Sequence, residues 1–107
     1  MALWHALQRV LKSLTTAKRG TKMPNIEIYT SPLCGFCHSA KRLLSQKGAS
    51  FNEIDVLSDP NRKPEMIKRA NGGRTVPQIF IGETHVGGCD ELFALDRAGK
   101  LDPMLAA

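Results

Sequence analysis

The chain has 107 residues, enough for one domain with a modest core, and its 42% hydrophobic and 23% charged residues are ordinary for a soluble globular protein. No apolar run approaches the eighteen or so residues of a membrane-spanning helix, so no membrane partner is expected. The net charge of +5 does not mark a nucleic-acid surface: five of the fifteen basic residues lie in residues 1–22, which hold no acid, and ten basic residues face ten acidic ones between Met23 and Ala107.

Residues 1–22 therefore read separately from a domain spanning 23–107. Ala2, Leu3, Trp4, Ala6, Leu7, Val10, Leu11 and Leu14 make an apolar stripe at helical spacing, interleaved with Arg9 and Lys12, and Ser13, Thr15, Thr16 and Thr21 follow. This basic, acid-free pattern is that of a mitochondrial transit peptide. The alternative is a dispensable extension, with the domain starting at Met23; that account is slightly preferred and leaves the protein cytoplasmic.

In chain order, Ile26–Thr30 is the first predicted strand. A helix over roughly Gly35–Lys47 follows, with Cys37, Ala40, Leu43 and Leu44 inward and Gly48 as its stop. Phe51–Val56 alternates as a second strand. Ser58-Asp59-Pro60 suggests a cap and a helix-starting proline for a second helix reaching Ala70, with Pro64 in its first turns. Val76–Ile81 and Thr84–Val86 flank the tight turn Gly82-Glu83 and predict an antiparallel hairpin. Asp90 is the expected cap of a third helix that buries Leu92, Phe93 and Leu95 and ends at Gly99; Asp102-Pro103 begins a short final turn. The order βαβαββα places helices against a mixed four-stranded sheet, in which the first two strands must be parallel.

Cys34-Gly35-Phe36-Cys37 stands between the first strand and the first helix. A helix start offers backbone N–H groups and the positive end of the dipole, which stabilise an anionic sulfur on Cys34. Cys37, one turn on and on the same helix face, is within reach for disulfide closure. The pattern implies thiol–disulfide exchange in a reducing compartment. Two structural cysteines are the bland alternative. A zinc site needs four ligands, commonly as two paired sets; Cys89 is the one other cysteine, and His5, His38 and His85 show no H-x₃₋₅-H spacing. Cys34 to His38 also spells the haem-attachment string C-x-x-C-H, with Met66 or Met104 as the second axial ligand; the strands on both sides of the motif argue against it.

Two further segments fit this site. In Thr75-Val76-Pro77 a proline enters a strand, and a cis bond there would leave the Val76 N–H and C=O open to an extended peptide. Gly87-Gly88-Cys89-Asp90 runs into a helix start whose free N–H groups can hold a carboxylate. Together with Ile28-Tyr29-Thr30 and the run Gln78-Ile79-Phe80-Ile81-Gly82, these segments resemble the dithiol glutaredoxins of the thioredoxin fold, the bacterial branch in particular. Thioredoxin itself is a poorer match, since Leu33 precedes Cys34 and Phe36 stands where its motif has proline.

The resemblance implies a glutathione-dependent oxidoreductase that reduces protein disulfides and glutathione mixed disulfides. Cys34 would be the nucleophile and Cys37 the resolving thiol, with glutathione as co-substrate. Val76 beside cis-Pro77 would bind its cysteinyl part, Thr75 would line the groove, and Gly88, Cys89 and Asp90 would hold the γ-glutamyl end. Phe36 would form an apolar wall. The pattern departs in two places. Ser31 replaces a lysine that faces the glycyl carboxylate, leaving Arg74 as the nearest substitute. Gly35 replaces a proline, and family members with a small residue there include some that bridge a [2Fe–2S] cluster between two protomers. The protein is expected to be a monomer, or a dimer if such a cluster is bridged by Cys34 and glutathione.

Overall fold

The computed structural model describes residues 24–106, so the expectations for residues 1–22 lie outside the described residues. The elements are β1 (Ile26–Thr30), α1 (Gly35–Gln46), β2 (Asn52–Asp55), α2 (Arg62–Arg69), β3 (Gln78–Ile81), β4 (Thr84–Gly87), α3 (Cys89–Arg97) and α4 (Leu101–Ala106). The strands form one sheet in the order β2-β1-β3-β4. β1 and β2 are parallel, with Ile28 opposite Glu53, while β3 runs antiparallel to β1 and β4 antiparallel to β3. This is the expected thioredoxin fold.

Alternation in β1 divides its side chains between two core layers. Ile26 and Ile28, with Ile79 and Ile81 of β3, pack against Leu43 and Leu44 of α1, Leu92 of α3, and Leu101 and Leu105 of α4. Tyr29 and Phe80 point the other way and meet Ile54, Val56, Met66 of α2 and Ala70 just after it. Each fully buried Leu or Ile contributes about 1.5–3 kcal/mol, so the first layer anchors α1, and with it the cysteine motif. The second layer is closed by Arg69. Its guanidinium carbon lies 4.1 Å from the centre of the Phe80 ring, and it donates hydrogen bonds to Tyr29 Oη (2.7 Å) and Glu27 Oε1 (2.9 Å).

Several boundaries differ from expectation. α2 starts at Arg62, not at Pro60, because Ser58 spends its hydroxyl and N–H on the Asp55 carboxylate and does not cap a helix. The chain then turns through Arg62 N–H to Asp59 and Lys63 N–H to Pro60, and Pro64 is accommodated in the first helical turn, where an N–H has no intrahelical partner. β3 begins at Gln78, past the cis Val76–Pro77 bond. β2 is shorter than Phe51–Val56, and β4 extends to Gly87. α3 begins one residue before the expected cap: Gly88 is the N-cap, Asp90 is already in the first turn, and Phe93 and Leu95 are half-buried.

Candidate active site

At the carboxyl end of β1 the chain passes Ser31-Pro32-Leu33 and enters α1 with Cys34 as N-cap, in an extended conformation (φ −97°, ψ 109°). The Cys34 Sγ accepts a hydrogen bond from the Cys37 N–H at 3.1 Å, which is what a capping side chain does. It also lies 3.6 Å from the Val76 carbonyl, to which the thiol donates. That carbonyl is therefore engaged, where the sequence reading left it open. The first turn of α1 carries no acidic residue, so nothing competes with a sulfur anion for its positive end. Cys34 is half-buried, whereas Cys37 is fully buried; all three cysteines are free thiols.

Burial separates the two thiols chemically. The Cys37 thiol is pushed up to about 12, first by desolvation and then by its hydrogen bond with Cys34. The Ser31 backbone and the charge of Lys41 act in the opposite direction. Of the two thiols, the buried one is held neutral and the other is accessible.

Beside Cys34 opens a groove of about 310 Å³ lined by Phe36, Thr75, Val76, Pro77, Gly88, Cys89, Asp90 and Glu91. Three separated segments of the sequence thus converge: the cysteine turn, the cis-proline turn before β3, and the β4–α3 junction. Phe36 is 65% exposed and Leu33 92%, so apolar side chains stand on both sides of Cys34. Gln78, buried at the start of β3, braces the second segment by donating to Thr75 Oγ1 and contacting the His85 ring nitrogen.

Arg74 is the one predicted site residue outside this assembly. It is exposed, does not line the groove, and makes no ion pair among the described residues. Glu91 is the residue the sequence reading missed. Its carboxylate accepts the Gly88 N–H at 2.7 Å, occupying one of the donors expected to be free for a ligand. The signal was available, because a Glu three residues after a helix N-cap is half of a capping box. Cys89, the first residue of α3, is buried, and its thiol is raised by desolvation and then by the charge of Asp90.

The C-x-x-C-H string does not assemble a haem site. His38 is exposed on α1, its ring nitrogen 3.3 Å from the Pro32 carbonyl, while Met66 of α2 is buried with Tyr29 and Phe80 and Met104 packs in the opposite layer. Among the described residues no group of three or more His, Cys, Asp or Glu side chains gathers to hold a metal ion.

The Glutaredoxin family model matches residues 26–86. Glutaredoxin 3 of Escherichia coli is 55% identical over 83 residues, covering 78% of this chain and 99% of that protein. Buckwheat glutaredoxin, solved as a complex with glutathione, is 31% identical, with a TM-score of 0.71 and coverage of 92% of this chain and 91% of its own. A structure solved in work on metal binding of glutaredoxins is 52% identical, with a TM-score of 0.61 and coverage of 79% and 91%. With the paired cysteines at the start of α1 and this likeness over most of its length, the chain belongs to the glutaredoxin family of thiol–disulfide oxidoreductases.

Proposed function

We propose that the protein is a glutathione-dependent reductase of glutathione mixed disulfides and protein disulfides. The observation that carries this reading is the contact of Cys34 Sγ with the Val76 carbonyl, which puts the accessible thiol against the peptide edge of the groove. Cys34, as thiolate, attacks the glutathione sulfur of a mixed disulfide; the old S–S bond breaks, the substrate thiolate leaves and takes a proton, and Cys34 carries glutathione. A second glutathione thiolate then attacks that sulfur, giving glutathione disulfide and free Cys34. With a protein disulfide as substrate, Cys34 attacks one of its sulfurs and the other leaves as a thiolate. Cys37 then attacks Cys34 Sγ, the bond to the substrate breaks and its second sulfur departs, and the Cys34–Cys37 disulfide left behind is reduced by two glutathiones.

In this reading the glutathione backbone pairs with Val76 beside Pro77, and Thr75 and Phe36 form the walls. Gly88, Cys89 and Asp90 receive the γ-glutamyl end, and Arg74 swings in to meet the glycyl carboxylate that Ser31 cannot reach. The likeness to a glutaredoxin solved with glutathione supports it. A reducing, glutathione-rich compartment follows, the cytoplasm, or the mitochondrion if residues 1–22 serve as a transit peptide.

Steady-state turnover of a small glutathione mixed disulfide, coupled to glutathione, tests the assignment. Cys34→Ser should abolish it. Cys37→Ser should keep much of it while losing turnover of a protein disulfide, and equal loss in both variants on the small substrate would overturn the monothiol route.

A second reading, a [2Fe–2S] cluster bridging two protomers, is supported by the metal-binding work on a glutaredoxin 52% identical to this chain. Cys34 is the half-exposed thiol that could serve, one per protomer, so two glutathione thiolates would complete the four ligands. A brown dimer after anaerobic reconstitution with iron, sulfide and glutathione would support it; a colourless monomer would leave the reductase alone.

A further inference from the structure

Behind the buried Cys37 a polar strap joins three elements. Lys41, one helical turn after Cys37 and so on the same side of α1, places its Nζ 2.8 Å from Glu53 Oε2 on β2. The same carboxylate oxygen accepts the hydroxyl of Thr30, the last residue of β1, at 2.7 Å. Thr30 is 1% exposed, and the Lys41 and Glu53 side chains are 24% and 39% exposed. A surface ion pair of this kind contributes little to stability, and the core already seats α1. What the strap fixes is the place of one positive charge: a lysine whose four-carbon stem would otherwise roam is held on the side of α1 that carries Cys37.

We propose that Lys41 is a positioning residue for the second half of the dithiol reaction, its tethered charge favouring the Cys37 thiolate that attacks Cys34 Sγ. The inference rests on the dithiol route proposed above. In that step the Cys37 S–H loses its proton to solvent, the Cys37–Cys34 bond forms, and the bond from Cys34 to the substrate sulfur breaks, so the substrate leaves as a thiolate. Desolvation opposes the first event, and Lys41 is the cation whose charge offsets part of that cost at this thiol. Cys34 has the helix end instead, which makes the two halves of the reaction separable.

Stopped-flow reaction of the reduced full chain with the neutral disulfide 4,4′-dithiodipyridine resolves them. The first thiopyridone is released in a concentration-dependent phase as Cys34 attacks. The second is released in a concentration-independent phase as Cys37 displaces it. Removing a charge that favours the thiolate should slow the second phase by less than the thiolate fraction falls, on the order of two- to threefold, because a more basic thiolate is the better nucleophile. Lys41→Met and Lys41→Gln should both show this loss with the first phase unchanged, and Lys41→Arg should restore the wild-type rate. Gln can keep the hydrogen bond to Glu53 without the charge. A wild-type second phase in Lys41→Gln would therefore reduce Lys41 to a tie and overturn the proposal. So would an unaltered second phase in Lys41→Met, an Arg variant as slow as Met, or equal slowing of both phases. If the wild type has no second phase, or Cys37→Ser retains it, the dithiol reading itself fails.

Discussion

Two junctions in this molecule share one local design and do different things. At both β1–α1 and β4–α3, a strand leads through a short turn into a helix with a cysteine at its start. Cys34 is the N-cap itself: its sulfur receives the Cys37 N–H, it is half-exposed, and no acid stands in the first turn. Cys89 is one residue further in, at the first helical position behind Gly88; it is buried, and Asp90 and Glu91 follow it. The Gly88 N–H at that helix start is filled by Glu91, while α1 leaves its positive end to a sulfur. A helix N-terminus therefore does not by itself leave a thiol accessible and capping. A shift of one residue relative to the cap, and the placing of two carboxylates, turn the same geometry from the seat of an accessible capping thiol into the wall of a groove.

The largest expected effect comes from treating the two cysteines alike. Cys34→Ser should lower glutathione-coupled turnover to background, whereas Cys89→Ser should stay within roughly threefold of wild type, the residual change being in KM because Cys89 lines the groove. Comparable loss of kcat in both would erase the distinction between the junctions.

Their glycines supply the next contrast. Gly87 has φ +113°, and a Cβ there would come within 2.8 Å of Glu91 Oε1; Gly35 has open space around the same added atom. Gly87→Ala should cost about 2–4 kcal/mol, combining a strained backbone with displacement of the Glu91 carboxylate from the Gly88 N–H. Gly35→Ala should be close to neutral. Urea denaturation of both variants measures the difference, and equal midpoints would contradict the account of the β4–α3 turn.

What was legible in the sequence follows the same division. The β1–α1 junction could be read almost to the residue, because Ile26–Thr30 has no other plausible state and two cysteines three apart signal chemistry that few contexts explain. The parallel pairing of the first two strands followed from the element order, whereas the convergence of the cysteine turn with Thr75-Val76-Pro77 and Gly88-Cys89-Asp90 came through the family resemblance, since contacts across some forty residues leave no local trace. The errors were in hydrogen-bond allocation. Asp90 looked like a cap because Asp caps well, yet Gly88 takes the position once Glu91 can reach back to it. Ser58 looked like a cap until Asp55 claimed it. Arg74 fits the role of the missing lysine by sequence proximity alone, and an exposed, unanchored side chain is what such reasoning cannot place.

Buried thiols also make the reduced fold sensitive to alkali. Unfolded cysteines ionise near pH 8.5, whereas native Cys37 is pushed up to about 12 and Cys89 is raised in the same direction. Above pH 8.5 the unfolded chain thus binds fewer protons than the native one, and stability must fall as pH rises. The limit is about 1.4 kcal/mol per pH unit for each thiol. Stability should drop by up to about 1 kcal/mol per thiol between pH 8.5 and 9.5, below the range where Tyr29 also contributes. Cys37→Ser should flatten that slope relative to the wild type, and an unchanged slope would remove the burial argument.

The smallest expected effect concerns the turn that makes the first junction distinctive. Gly35 occupies the first helical position, where an N–H has no intrahelical partner, and Cys34 before it is extended, the conformation a following proline requires. Nothing lies within 4 Å of an added Cβ. Gly35→Pro should therefore fit without strain and raise stability by roughly 0.4–1 kcal/mol, through the loss of unfolded-state freedom. Exchange on a small mixed disulfide should persist, since neither the Cys37 N–H to Cys34 contact nor the Val76 contact passes through residue 35. If cluster bridging depends on a permissive turn, the same variant should yield less brown dimer on reconstitution, with its reductase turnover intact. A destabilised Gly35→Pro would show that this turn needs its glycine as strictly as Gly87 is needed at the other junction, and the contrast between the two would collapse.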